Sequence, residues 1–588
     1  MKRRVAISIA AVFVTVVFGC SKPEVTVAPE RMSCIPDGIP TTDYPWSTDP
    51  RKFSFVILGD KTGGGLENWP IFDRAVEEIS LLNPDFVIMV GDQIQGNTRD
   101  TTVLRKQWEE FWEHANNLRA PFFIVAGNHD VGYPEMYDWW KREYGATYYS
   151  FDHKGCHFLI LSTEETPRGL GEEQMQWAVN DLLQSKHARH TFVFMHKPVW
   201  IPGYSPDFLS EFERLEAVLQ DRNYTVFAGH KHGLEFDTRN DRRIFLHGAT
   251  GAGITPREAR EFGVFHHYSH ISVDADSVHI AIIEPGNILP SDISTRPFRE
   301  AVRGLLSTLP HSPEGIGTPT VRTGVTTSVT NDLPDTVVVT VDYVGGAWRV
   351  TNGEATRRVV VPPNDRASIT ATFSVDEADL LDLPNLRLLA TYRGKELLSS
   401  DRPVTLFPDE ELRAVPDWNV VGPWPVGEFT PALLPDYEAA APRMFSALGP
   451  ERDASLDATY SANGTSLQWQ AVGVSGDNTI VNLDTVFEYP TPINSIAYGT
   501  AAVWSPDNRI AYALLRADDY IQLTLNGELF EGGRIFRTRP TDALIALPLR
   551  AGWNTLMTKT LNITGGWSFR VQFADPNEEL RFAPVVPE

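Results

Sequence analysis

Five short stretches carry side chains of the types that ligate metals or move protons. Asp60 lies in Gly59-Asp60-Lys61-Thr62-Gly63-Gly64, and Asp92 lies in Gly91-Asp92-Gln93-Ile94-Gln95. Asn128, His129 and Asp130 follow Gly127, His196 follows Met195, and His230 and His232 belong to Gly229-His230-Lys231-His232. Carboxylate, amide oxygen and imidazole form a mixed N/O donor set that suits Mn, Fe or Zn, not a thiolate site. Other chemistries find no support. Gly63, Gly64 and Gly65 have no Gly-Lys-Ser/Thr after them, which excludes a nucleotide P-loop. Neither Ser162 nor Ser205 sits in the Gly-x-Ser-x-Gly turn of a serine hydrolase.

Each of these stretches directly follows a predicted strand. Short apolar runs at residues 53–58, 86–90, 122–125, 158–161, 192–195 and 226–228 read as buried strands. Amphipathic patterns at 71–82, 103–118, 172–183 and 208–219 read as the helices between them. Such alternation predicts an α/β domain with its chemistry in the loops at one sheet edge.

The order Asp, Gly-Asp, Gly-Asn-His-Asp, His, Gly-His-x-His resembles the signature of the calcineurin-like metallophosphoesterase family over about residues 52–285. Any single element is weak, and a lone histidine is more often a satisfied core or surface residue. All five, in order and each at a strand end, point to chemistry. The resemblance implies an α/β fold in which a β-sandwich is flanked by helices. It also implies a pair of cations (Mn, Fe, Zn or Ca) and hydrolysis of phosphomono- or diesters. Position by position, Asp92 would bridge the pair. Asn128, His196 and His230 would complete the second site, and Asp60 and His232 would hold the first. A bridging hydroxide would attack phosphorus. His129 would protonate or polarise the leaving oxygen, with Asp130 fixing its orientation.

The first motif departs from the family, where Asp-x-His is usual and this chain has Thr62. Gln95 lies three residues after Asp92, the spacing at which purple acid phosphatases place a tyrosine ligand, and its carbonyl oxygen is a candidate substitute. The first site is therefore expected to bind metal more weakly than the second. Lys61 reads as a solvated loop lysine, with a phosphate contact as the alternative. His266 and His267 read as an alternating edge-strand surface, with an approach to the site mouth as the alternative.

The 588-residue chain is long enough for about four folding units. With 52 Lys plus Arg against 76 Asp plus Glu, its net charge of −24 argues against a nucleic-acid-binding surface. Lys2, Arg3 and Arg4 precede an apolar run that ends at Phe18-Gly19-Cys20. Residues 1–20 resemble a lipoprotein leader with Cys20 lipidated; an ordinary signal peptide is the alternative. Ser21 after the cysteine resembles outer-membrane sorting, so the expected address is the cell envelope, facing periplasm or exterior. Proline-punctuated residues 21–50 read as a tether. Cys34 and Cys156 either pair in an oxidising compartment or stay as free thiols.

Residues 51–290 are taken as the catalytic domain and 291–312 as a linker. An immunoglobulin-like β-sandwich over 313–415 and a jelly-roll-like module over 416–588 follow, so two all-β sandwich modules close the chain. The Asn526-Gly527 hairpin turn and the alternation of Trp567, Phe569, Val571 and Phe573 mark the last module. Val420-Val421-Gly422-Pro423-Trp424-Pro425 resembles modules appended to glycan-active enzymes, which makes glycan contact a candidate partnership beside a small-molecule or envelope phosphoester substrate. A non-catalytic envelope- or glycan-binding protein that keeps the fold is the competing function.

Overall fold

The computed structural model describes residues 52–166, 169–201, 204–427, 437–474, 479–487, 492–537, 542–563 and 565–587. The leader, Cys20, the tether and Cys34 lie outside them. Cys156 is buried and free. Among the described residues no helix is long and apolar enough to cross a membrane.

Two six-stranded sheets face each other in the N-terminal part. The first contains β1 (Lys52–Leu58), β2 (Phe86–Met89), β3 (Phe122–Ile124), β10 (Tyr268–Asp274), β11 (Ser277–Glu284) and β12 (Asn287–Leu289), in the order β12-β11-β10-β1-β2-β3. The second contains β4 (Tyr149–His153), β5 (Cys156–Ile160), β6 (His190–Met195), β7 (Tyr224–Ala228), β8 (Glu235–Arg239) and β9 (Arg242–Leu246), in the order β4-β5-β6-β7-β9-β8. Strands β1, β2 and β3 are parallel, as are β5, β6, β7 and β9.

The largely apolar sequences of the central parallel strands follow from burial on both faces. Between the sheets lies an aromatic layer in which the Phe55 ring meets Phe158 at 5.3 Å and Phe192 at 5.0 Å. Helices α1 (Trp69–Leu82), α2 (Thr101–Ala115), α3 (Asn128–Val131) and α4 (Pro134–Glu143) accompany the first sheet, while α5 (Glu172–Gln184) and α6 (Pro206–Leu219) cover the second. Two hairpins of the second sheet are additional to the sequence expectation. Lys154-Gly155 and Asn240-Asp241 turn them, with positive φ at both central positions as type I′ geometry requires.

The stretch taken as a linker is structured. Residues 296–304 form α7 (Arg296–Gly304), capped by Thr295, and Leu306–Glu314 is a strand in register with Thr320–Asn331. The first β-module thus begins before residue 313, and its two four-stranded sheets enclose a core that includes Val325, Val339 and Phe373. The C-terminal region forms a second pair of sheets. Trp418, Trp424 and Trp567 are buried in its cores, so these rings are not available for stacking on a sugar.

Candidate metal centre

The loops that leave β1, β2, β3, β6 and β7 meet at one edge of the two-sheet core and bring together every expected donor except Gln95. Asp60, Asp92 and His196 are fully or almost fully buried, while Asn128, His129, His230 and His232 are partly open. Ligand atoms of Asp92, His196 and His230 lie within 4.8 Å of one another, and so do those of Asp60, Asp92 and His232. Asp92 is common to both groups.

Hydrogen-bond chemistry favours a cation here. Nδ1 of His196 lies 2.9 Å from the Val90 carbonyl oxygen, which can only accept, so Nδ1 carries the proton. Nε2 of the neutral ring then offers a lone pair. It faces Asn128 Oδ1 at 3.1 Å, Asp92 Oδ2 at 3.2 Å and His230 Nδ1 at 3.2 Å. A single hydrogen cannot serve three such neighbours, whereas one cation can take all of them.

The other group repeats the pattern. His232 Nδ1 faces the Gly253 carbonyl at 3.4 Å, which turns Nε2 toward Asp60 Oδ2 at 3.2 Å. Asp60 Oδ1 and Thr62 Oγ1 are buried without a protein partner, an arrangement that is costly unless something else satisfies them. The residues therefore fit a pair of cations, with Thr62 offering the first site a hydroxyl only.

Without a cation, protons do part of its work. Burial opposes charge on His196, but the Asp92 carboxylate outweighs it and holds the imidazole up at about 10. Burial also pushes the Asp92 carboxyl up, yet the facing His196 and His129 hold it well below the usual carboxylate range. His230 is driven down to about 2 by burial and by His196.

Backbone geometry at the site is unusual. Asp92, His230 and His232 adopt φ of 55°, 73° and 50°, a left-handed region that costs non-glycine residues of order 1 kcal/mol or more each. Gly229 is needed because a Cβ there would fall 2.5 Å from Asp60 Oδ1.

Four expectations need correction. Asp130 does not orient the His129 ring. Its buried carboxyl accepts from the backbone N–H groups of Gly127, Asp92, Gln93 and Ile94, which locks two site loops together. His129 is instead held through Nδ1 by the Gln95 carbonyl at 2.7 Å. The Gln95 side chain is spent structurally, its Oε1 accepting from Gly63 N at 2.9 Å, so it tethers the first loop to the second. Lys61 is buried, not solvated, and its ammonium lies 3.9 Å from the Trp69 ring centroid. His266 and His267 are not an edge-strand surface, because β10 is interior to its sheet. His267 is fully buried beside His247, and His266 Nδ1 accepts from Gly251 N.

Further residues enter the site that the sequence motifs do not mark. Asn97 Nδ2 lies 3.3 Å from His129 Nδ1. The Tyr204 ring lies 6.1 Å from that of His230, its hydroxyl buried without a protein partner. Lys197 pairs with buried Glu164 at 2.7 Å. Of these only Lys197 adjoins a motif histidine in sequence; Asn97, Glu164 and Tyr204 carry no such signal.

Residues 53–234 match the family model of the calcineurin-like phosphoesterases. No curated protein sequence matches the chain. Among solved structures, the chain is similar to a dimetal phosphatase from Danio rerio, with 15% identity, 40% of this chain and 98% of that chain covered, and a TM-score of 0.32. It is also similar to GAP50, the anchor in the inner membrane complex of Plasmodium, with 17% identity, 40% and 85% covered, and a TM-score of 0.32. The purple acid phosphatase PPD1 from yellow lupin (Lupinus luteus) is a third, with 15% identity, 42% and 53% covered, and a TM-score of 0.32.

Proposed function

We propose that this chain, whose residues 53–234 are a calcineurin-like phosphoesterase domain, is a metal-dependent hydrolase of phosphomono- or diesters exported to the cell envelope. The observation that carries the reading is the crowd of lone pairs around His196 Nε2, which a cation relieves and a hydrogen cannot. Asp92, Asn128, His196 and His230 would hold one cation, and Asp60, Asp92 and His232 the other. When bound, such a pair supplies Lewis acidity to a water and to the phosphoryl oxygens.

The chain's own groups do the rest. With Nδ1–H donated to the Gln95 carbonyl, the His129 ring keeps Nε2 for the leaving oxygen, and a proton held at that atom is the one to be delivered. The Asp92 carboxyl accepts the His129 backbone N–H at 2.9 Å, which ties the acid to the metal-binding loops. Anchorage through Cys20 rests on the leader sequence, and glycan contact by the last module rests on its resemblance alone.

A panel of phosphomono- and diesters with Mn, Fe, Zn or Ca, run beside Asp92→Ala, tests the proposal. Cleavage with at least one metal, abolished in the variant, is expected. No cleavage of any ester with any metal, or equal activity in the variant, overturns it and favours a binding protein.

A further inference from the structure

A cleft of about 590 Å³ opens where the two β-modules meet, and Arg402, Arg516 and Arg570 are among its lining residues. Arg516 and Arg570 are directly opposite each other across the ladder of strands Arg509–Asp518 and Ser568–Ala574. Like charges in that position destabilise a sheet. Asp542 lies between them and pairs with both, taking Arg516 Nε on Oδ1 and Arg570 Nη2 on Oδ2. Among the described residues this one carboxylate serves two guanidiniums, which leaves a positive charge over. Arg402, from the first module, adds another. Its side chain donates to Thr308 Oγ1 at 2.8 Å, and among the described residues no carboxylate lies within ion-pair distance of it. Arg570 Nε is buried without a protein partner. The remaining wall is apolar and includes Leu406 and Leu544, with Asp409 also in the lining. In a chain of net charge −24, a lining of three arginines against two aspartates runs against the overall balance.

We propose that this cleft binds a small molecule through an oxyanion, a carboxylate or a phosphate, held by Arg402 and the free edge of the Arg516 guanidinium. Arginine forks match the two-oxygen geometry of both anions, and the apolar wall takes the body of the molecule. The site is separate from the phosphoesterase centre and does not depend on that function.

Calorimetric titration of the full chain, stripped of metal, with galacturonate, inorganic phosphate and neutral galactose tests the assignment. Saturable binding of at least one anion, absent for galactose and weakened by salt, is expected. R402Q and R516Q should each weaken it about tenfold, the scale of a charge-assisted contact. R516Q removes the like-charge pair together with one ion pair to Asp542, so its melting temperature should change little while binding falls; an Arg516 with a purely structural role gives the reverse. Both variants should retain phosphoester cleavage. Binding of galactose equal to that of the anions, no saturable binding of either anion, or unchanged affinity in both variants would overturn the proposal.

Discussion

Lys61 offers the sharpest test of the site's electrostatics. Burial pushes its ammonium from 10.5 down to about 8, even though Glu110, Asp73 and Glu67 pull the other way. At about 1.4 kcal/mol per pH unit, that displacement is worth about 3 kcal/mol. The sign follows from proton counting. Below about 8 both folded and unfolded chains carry the proton, and the folded state bears the whole cost. Between about 8 and 10.5 only the unfolded chain does, so stability rises with pH. Lys61→Met removes the cost and also the ammonium's contact with Trp69, worth about 1–2 kcal/mol. The variant should thus be more stable than wild type by about 1–2 kcal/mol at neutral pH. Its advantage should shrink by about 3 kcal/mol as the pH approaches 10.5. Urea unfolding of the metal-stripped protein at several pH values, following the catalytic-domain transition, reads this directly. Parallel stability–pH curves for variant and wild type would refute the reasoning.

Dialysis against graded chelator should release one cation well before the other, with affinities at least about tenfold apart, because Thr62 gives the first site no imidazole; equal retention of both would contradict this. Gly229→Ala should cut turnover about a hundredfold and also lower the melting temperature, since the new Cβ would fall 2.5 Å from Asp60 Oδ1 and 2.9 Å from the Val90 carbonyl oxygen. Full activity in that variant would show that the carboxylate has room to move. His129→Ala should slow alkyl phosphoesters by about a hundredfold or more and p-nitrophenyl esters far less, because a good leaving group needs no proton. Equal losses on both would remove His129 from that role.

The donor set was legible because it obeys a local rule. Each motif abuts a strand so apolar that its direction and end are plain, and a parallel sheet gathers strand ends on one side. Partners of individual side chains obey no such rule. Whether Gln95 meets a cation or Gly63 N, and whether Asp130 meets an imidazole or four backbone amides, depends on the path of loops separated by more than thirty residues in sequence. Lys61 is buried by Trp69, eight residues away, across an irregular turn that no periodicity describes. Helix α7 escapes an apolar-period reading because its buried face includes Arg299, which lies near Glu235 on β8 in a cluster of arginines. The hairpins at Lys154-Gly155 and Asn240-Asp241, by contrast, carry turn residues that were open to recognition.

The segment between β9 and β10 joins the centre to its neighbour. Thr250 N and Ala252 N both donate to the Asp60 carbonyl at 3.0 Å, and Gly253 N donates to the Thr62 carbonyl. A few residues on, Ala259 N donates to the Glu396 carbonyl and Arg257 pairs with the Glu396 side chain at 3.0 Å, both in the first β-module. The appended sandwich thus acts as a splint for the very loop that braces Asp60. Excising the N-terminal part at the apparent domain border would leave that brace anchored at one end only, so a truncated version is a poor proxy for the whole molecule.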